Sequence, residues 1–204
     1  MAKKKICIDG FNISMQRGTG IATYARNLNH ALRALGHDTH ILYGPPQGLS
    51  KIPLLSEIAL VNAWAPPTRQ WTKVGAYLRQ SSSLFGRKAQ RVSPTGFVDM
   101  RQVERNVPPC DVAWSSRDVF HSANRVFTNF GAYTPVRFAR AGGERPDVMH
   151  WTCPLPMTVK GVPNFYTIHD LVPLKLPFAT LDNKRRFLQM CRWHCRTADR
   201  IVTV

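Results

Sequence analysis

The first forty-four residues constrain the fold most. Ile6-Cys7-Ile8-Asp9 is a short run of β-forming residues. The loop "GFNISMQRGTG" follows, and then apolar positions recur at helical spacing: Ile21, Tyr24, Ala25, Leu28, Leu32 and Leu35. That stripe predicts a helix over residues 21–35 with one face against a core. Gly36 stands where a helix-terminating glycine belongs. Residues 39–43 read as a second strand, ended by Gly44-Pro45-Pro46. Strand, helix and strand with short connections form a βαβ unit, whose two strands lie parallel in one sheet.

The C-terminal third has the same grammar. "DVMHW" is a short strand followed by a Pro-rich loop. "NFYTIHDLVPLKLP" begins as a strand should, with Phe165, Tyr166, Thr167 and Ile168, and places His169 and Asp170 where the strand runs out. Pro173 and Pro177 follow within seven residues and argue against a helix directly after. Residues 181–197 are predicted helical, with Phe187, Met190, Cys191, His194, Cys195 and Ala198 near one face, and "DRIVTV" is a final strand. The expected class is α/β: a Rossmann-like, mainly parallel sheet with helices on both faces. Residues 6–9, 39–43, 147–150, 165–168 and 201–204 would supply its strands. Ligands of such sheets bind at the carboxyl ends of the strands. His150, His169, Asp170 and the glycine loop after Asp9 all sit at such ends.

The middle, residues 62–146, is less regular. "TRQWTKVGAYLRQ" fits a basic amphipathic helix, with Trp71, Val74 and Leu78 on one side and Arg69, Lys73 and Arg79 around the other. "QSSSLFGRK" reads as a loop and residues 118–130 as a helix. Charge matters here, because the chain carries +16 and this segment holds 13 basic against 5 acidic residues, half of the excess. A basic surface attracts nucleic acid, anionic lipid or a phosphate-bearing substrate, and it also serves solubility alone. The interleaved aromatics Trp71, Tyr77, Phe85, Trp114, Phe120, Phe127 and Phe130 suit base stacking, yet no RNA- or DNA-binding signature accompanies them. The amphipathic stripe can lie on a membrane surface or pack Trp71 and Leu78 into the core.

No apolar run reaches the ~18–20 residues that cross a bilayer. Met-Ala-Lys-Lys-Lys leads straight into a strand without the apolar segment of an export signal. Five cysteines without framework spacing fit reduced thiols, so the expected location is the cytoplasm. Cys191, His194 and Cys195 share a helical face, but no CxxC pair is present, and buried structural cysteines explain them better than zinc. No metal site is expected.

Two motifs carry chemistry. Gly18-Thr19-Gly20 precedes the first helix, where glycines let the backbone approach a ligand and first-turn N–H groups attract phosphate or a sugar hydroxyl. It is not the dinucleotide fingerprint, since Thr23 stands where the third glycine would fall. A plain flexible loop explains it equally well. A strand-end histidine such as His169 can exchange a proton with a bound hydroxyl. Asp170 beside it can fix the histidine tautomer or cap the next turn. The bland alternative is a histidine satisfied by backbone.

Taken in order, "RGTGIATYARNLNHAL", "DVMHW", "NFYTIHDLVPLKLP" and "ADRIVTV" resemble the N-terminal half of retaining GT-B-fold glycosyltransferases of the large family 4 group, bacterial polysaccharide mannosyltransferases among them. The resemblance covers about residues 6–44 and 111–204, and residues 62–110 depart from it as a variable acceptor-side region. It implies that His169 faces the cleft near the donor sugar; Asp170 is expected to join it as a catalytic residue by its place beside it. Gly18, Thr19 and Gly20 would lie beneath the donor phosphates and transferred sugar, and the loop after "DVMHW" would help shape the acceptor side. His150, at the carboxyl end of that strand, is taken with the glycine loop as a donor- or substrate-binding residue. The resemblance further implies a GDP- or UDP-sugar donor, a glycan or lipid-linked acceptor, no cofactor, and peripheral attachment to the inner membrane face. Nucleic acid is not an expected partner. A GT-B enzyme needs a second, nucleotide-binding domain. None is expected within residues 1–204, so this stretch alone would not transfer sugar.

Overall fold

The computed structural model describes residues 2–13, 20–46, 48–50, 52–61, 83–93, 108–139, 145–180 and 183–204. Its elements run β1 (Lys5–Asp9), α1 (Gly20–Ala34), β2 (Asp38–Tyr43), α2 (Pro53–Val61), β3 (Arg87–Val92), β4 (Val112–Ser115) and α3 (Val119–Phe130). They continue with β5 (Thr134–Phe138), β6 (Val148–Trp151), β7 (Met157–Val159), β8 (Asn164–Ile168), α4 (Val172–Lys175), a single 3-10 turn (Pro177–Ala179), α5 (Lys184–Thr197) and β9 (Arg200–Thr203).

The strands form one sheet in the order β7-β5-β3-β4-β2-β1-β6-β8-β9. From β4 to β9 every pairing is parallel. The β3–β4 pairing is antiparallel, and β5 and β7 run parallel to β3. All five strands read from the sequence lie together in the parallel block. The sheet also curls. Edge strand β7 reaches back to β8, where the Tyr166 hydroxyl donates to the Met157 carbonyl at 2.6 Å. Asn164 Nδ2 likewise donates to the Val159 carbonyl at 2.9 Å.

Strand alternation sorts the core into two layers. Cys7, Leu42, Trp114, Met149, Trp151 and Tyr166 point to one face, where Val119, Phe120 and Ala123 of α3 meet them. Ile8, Ile41 and Tyr43 point to the other and pack with Ala25, Leu28 and Leu32 of α1. Helices therefore cover both faces. The predicted C-terminus of α1 is observed: Gly36 takes φ +83°, and the Gly36 and His37 N–H groups return to the Arg33 and Leu32 carbonyls. Leu35, counted in the buried stripe, is 73% exposed because it lies past the last helical turn.

Three expectations need correction. A helix does follow β8 closely, for Pro173 sits in the first turn of α4, where its missing N–H would have had no partner inside the helix. Arg87 and Lys88, read as loop, open β3. Of the aromatics considered for base stacking, Trp114, Phe120 and Phe127 are core residues. The predicted basic helix with Trp71, Val74 and Leu78 lies outside the described residues. Among the described residues no helix is long and apolar enough to cross a membrane.

Gly10 shows how tightly the end of β1 is held. Its N–H donates to the Leu42 carbonyl at 2.8 Å. A Cβ there would stand 2.8 Å from that same oxygen and 3.1 Å from the Tyr43 ring. Backbone oxygen cannot move aside as a flexible side chain would. Gly10→Ala is expected to destabilise the fold by about 1–3 kcal/mol, the usual penalty of overpacking. Urea unfolding measures it, and an unchanged midpoint would show that the β1–β2 edge is looser than its geometry.

Candidate functional site

The carboxyl ends of β1, β6 and β8 are neighbours in the sheet, and the site is built there. In β8 the alternation sends Tyr166 under α5, where His194 stacks on it at 4.0 Å, and Thr167 to the opposite face, under α1. Thr167 Oγ1 lies 3.1 Å from the Tyr24 hydroxyl and 2.8 Å from His150 Nε2. One step further, past the strand end, is His169. Its ring stands edge-on to Tyr24, with centroids 5.0 Å apart. Tyr24 is one turn into α1, so that helix starts within about one turn of the side chains at the end of β8. First-turn N–H groups have no intrahelical acceptor and carry the positive end of the helix dipole.

His169 is anchored through backbone. Its Nε2 is 2.8 Å from the Thr152 carbonyl. A carbonyl only accepts, so this contact places the proton on Nε2 and leaves Nδ1 as the acceptor nitrogen. The ring is half-buried, which leaves it open to a ligand from the rim. Thr152, just beyond β6, donates its own N–H to Asp9 Oδ2. Asp9 Oδ1 accepts the Phe11 N–H at 3.2 Å. Burial raises the Asp9 carboxyl to about 6, against the pull of hydrogen bonds from Thr152 and Phe11.

The residues singled out from sequence fare differently. His169 occupies the rim. His150 belongs to the same row, but it is only 8% exposed and its ring is engaged by Thr167. Burial lowers its pKa to about 4, so it is neutral at pH 7 and acts as a rigid wall behind Thr167. Asp170 is exposed, and its Oδ1 accepts the Val172 N–H at 3.0 Å in an Asx turn that leads into α4, close to the second of the two roles considered for it. Gly20 opens α1 and has open space around it. Gly18 and Thr19 lie outside the described residues.

Sequence reasoning missed Asp9, Tyr24, Thr152 and Thr167. An acid ending an apolar strand just before a glycine was a usable signal for Asp9. Thr167 was legible from alternation once His169 was chosen. Thr152 acts through its backbone, which no side-chain pattern reveals. Cys191 and His194 are buried under β8 on the face opposite His150, with His194 Nε2 against the Leu155 carbonyl at 3.2 Å. Among the described residues no group of three or more histidines, cysteines or acids is placed to hold a metal ion.

Comparison of the chain with protein-family models, curated protein sequences and solved structures found no match.

Proposed function

We propose that this chain is the acceptor-side, Rossmann-like domain of a retaining GT-B glycosyltransferase. It would move a hexose such as mannose from a GDP- or UDP-sugar to a glycan or lipid-linked acceptor during polysaccharide biosynthesis. The observation that carries the reading is the position of His169. It stands at the carboxyl end of β8, tethered by the Thr152 carbonyl and edge-on to a residue in the first turns of α1. Phosphate gathered at that helix N-terminus would meet exposed N–H groups and a positive dipole, which stabilise a departing diphosphate. Nδ1 of His169 would accept a hydrogen bond from a sugar hydroxyl at the rim. The nucleotide would be held by a second domain, and the net charge of +16 suits an enzyme working against an anionic membrane face.

The test is transfer by the full-length chain. Labelled GDP- and UDP-hexoses are incubated with it and a glycolipid extract, and the anomer of the product is read by NMR. Label transferred with retained configuration is the expected result. No transfer and no donor hydrolysis, together with salt-sensitive binding to oligonucleotides or anionic vesicles, would replace the enzyme with a non-catalytic basic binding module.

A further inference from the structure

We propose that Asp9 is a positioning residue for His169 and acts through Thr152. The inference rests on the reading of His169 as the group that meets the sugar. Asp9 and Thr152 are both fully buried, so no water competes for their bonds. The two carboxylate oxygens hold two different loops: Oδ1 takes the Phe11 N–H after β1, and Oδ2 takes the Thr152 N–H after β6. The carbonyl of the same Thr152 receives His169. Thr152 is thereby gripped on both flanking peptide planes, one by Asp9 and one by His169. The two planes meet at the Thr152 Cα, so a displacement of the plane held by Asp9 moves the Cα from which the carbonyl met by the imidazole projects.

The neighbouring contacts make this grip stiff. Asn12 Nδ2 donates to Cys153 Sγ at 3.2 Å and ties down the residue after Thr152. Gly10 is locked to Leu42, so the end of β1 cannot yield. A carboxylate suits the role because each of its oxygens accepts, and ionised acceptors make the shorter, stronger bonds. An asparagine would turn its NH2 toward one of the two N–H donors. The titratable groups facing Asp9 are the thiols of Cys7 and Cys153, whose pKa values burial and the Asp9 charge push well up. Both stay neutral and leave the carboxylate free to act on the two loops.

The test reads His169 itself. The full-length protein is labelled with 15N-histidine, and its ring nitrogens are recorded by long-range 1H–15N NMR. In the parent protein His169 is expected as the Nε2–H tautomer. In Asp9→Asn that tautomer is expected to lose at least half its population. Cys7→Ala, which opens a cavity on the same strand while keeping the bonds among Asp9, Thr152 and His169, is expected to leave it in place. Unchanged His169 signals in Asp9→Asn, or an equal change in Cys7→Ala, would overturn the proposal. If Asp9→Asn does not fold, Asp9→Glu, which displaces the carboxylate, is read by the same criteria. Where transfer is measurable, Asp9→Asn is expected to lower kcat about tenfold with KM within about twofold, the pattern of a displaced catalytic group. A substrate failure is separable: absent turnover removes the glycosyltransferase reading, whereas the NMR outcome judges the grip alone.

Discussion

On the proposed glycosyltransferase reading, His169→Ala is expected to reduce turnover by about 10²–10⁴ while altering donor affinity little. A positioned imidazole in a transfer reaction supplies a gain of about this size through proton transfer or hydrogen bonding. The geometry supports a specific version of it. With Nε2 donating to Thr152, the ring presents Nδ1 as an acceptor in one fixed orientation. His169→Asn keeps a donor and an acceptor on a shorter stem and is expected to recover part of the loss. Folding is expected to weaken by about 1–3 kcal/mol, because the ring is half-buried and its loss deprives the carbonyl of the fully buried Thr152 of this hydrogen bond. Thermal unfolding provides that control. Turnover within twofold of the parent, in a folded variant, would reduce His169 to a structural residue of the β8 terminus.

How much of this was visible in the sequence depends on what each residue contributes. β1, β2, β6, β8 and β9 lie in the parallel block, and their apolar and β-branched runs announced them. β3 did not, because Arg87–Val92 carries three cations and buries only Ala89 and Val92. It is a strand because β4 and β5 flank it, a tertiary cause that local propensity does not encode. β7 is three residues long, next to Pro156, and too short for any period to show. The site divides in the same way. His169 was legible as a polar residue ending an apolar strand. Its anchor was not, because Thr152 offers a carbonyl and an N–H that every residue type but proline would offer. Its place at a strand's carboxyl end singled out His150, and alternation in β6 between Met149 and Trp151 turns it into the row beneath α1.

Acid is expected to weaken the fold steeply between pH 6.5 and 4, and the buried histidines set the sign. His150 and His194 are both lowered by burial to about 4. Each is neutral when folded, so its contribution to stability is complete above the ordinary 6.5 and is lost as pH falls through about 4. The gap is worth about 3 kcal/mol for each residue. His194 shows why the proton is unwelcome: Nε2 already uses the Leu155 carbonyl, and Nδ1 has no hydrogen-bond partner among the described residues. Asp9 works in the opposite direction. Its carboxyl, raised to about 6, favours the folded state below the ordinary 3.8, and that advantage disappears as pH rises through about 6. Acidification therefore returns about 3 kcal/mol through Asp9 while removing about 6 through the two histidines. The balance is a net loss of about 3 kcal/mol, a large share of the ~5–15 kcal/mol that a domain possesses. Urea midpoints at pH 7 and pH 4.5 measure the loss, and His194→Gln, which keeps a donor but takes no charge, should remove roughly half of the histidine contribution. Equal midpoints at the two pH values would mean that the histidines are protonated in the folded chain, and the neutral wall of His150 behind Thr167 would have to be given up.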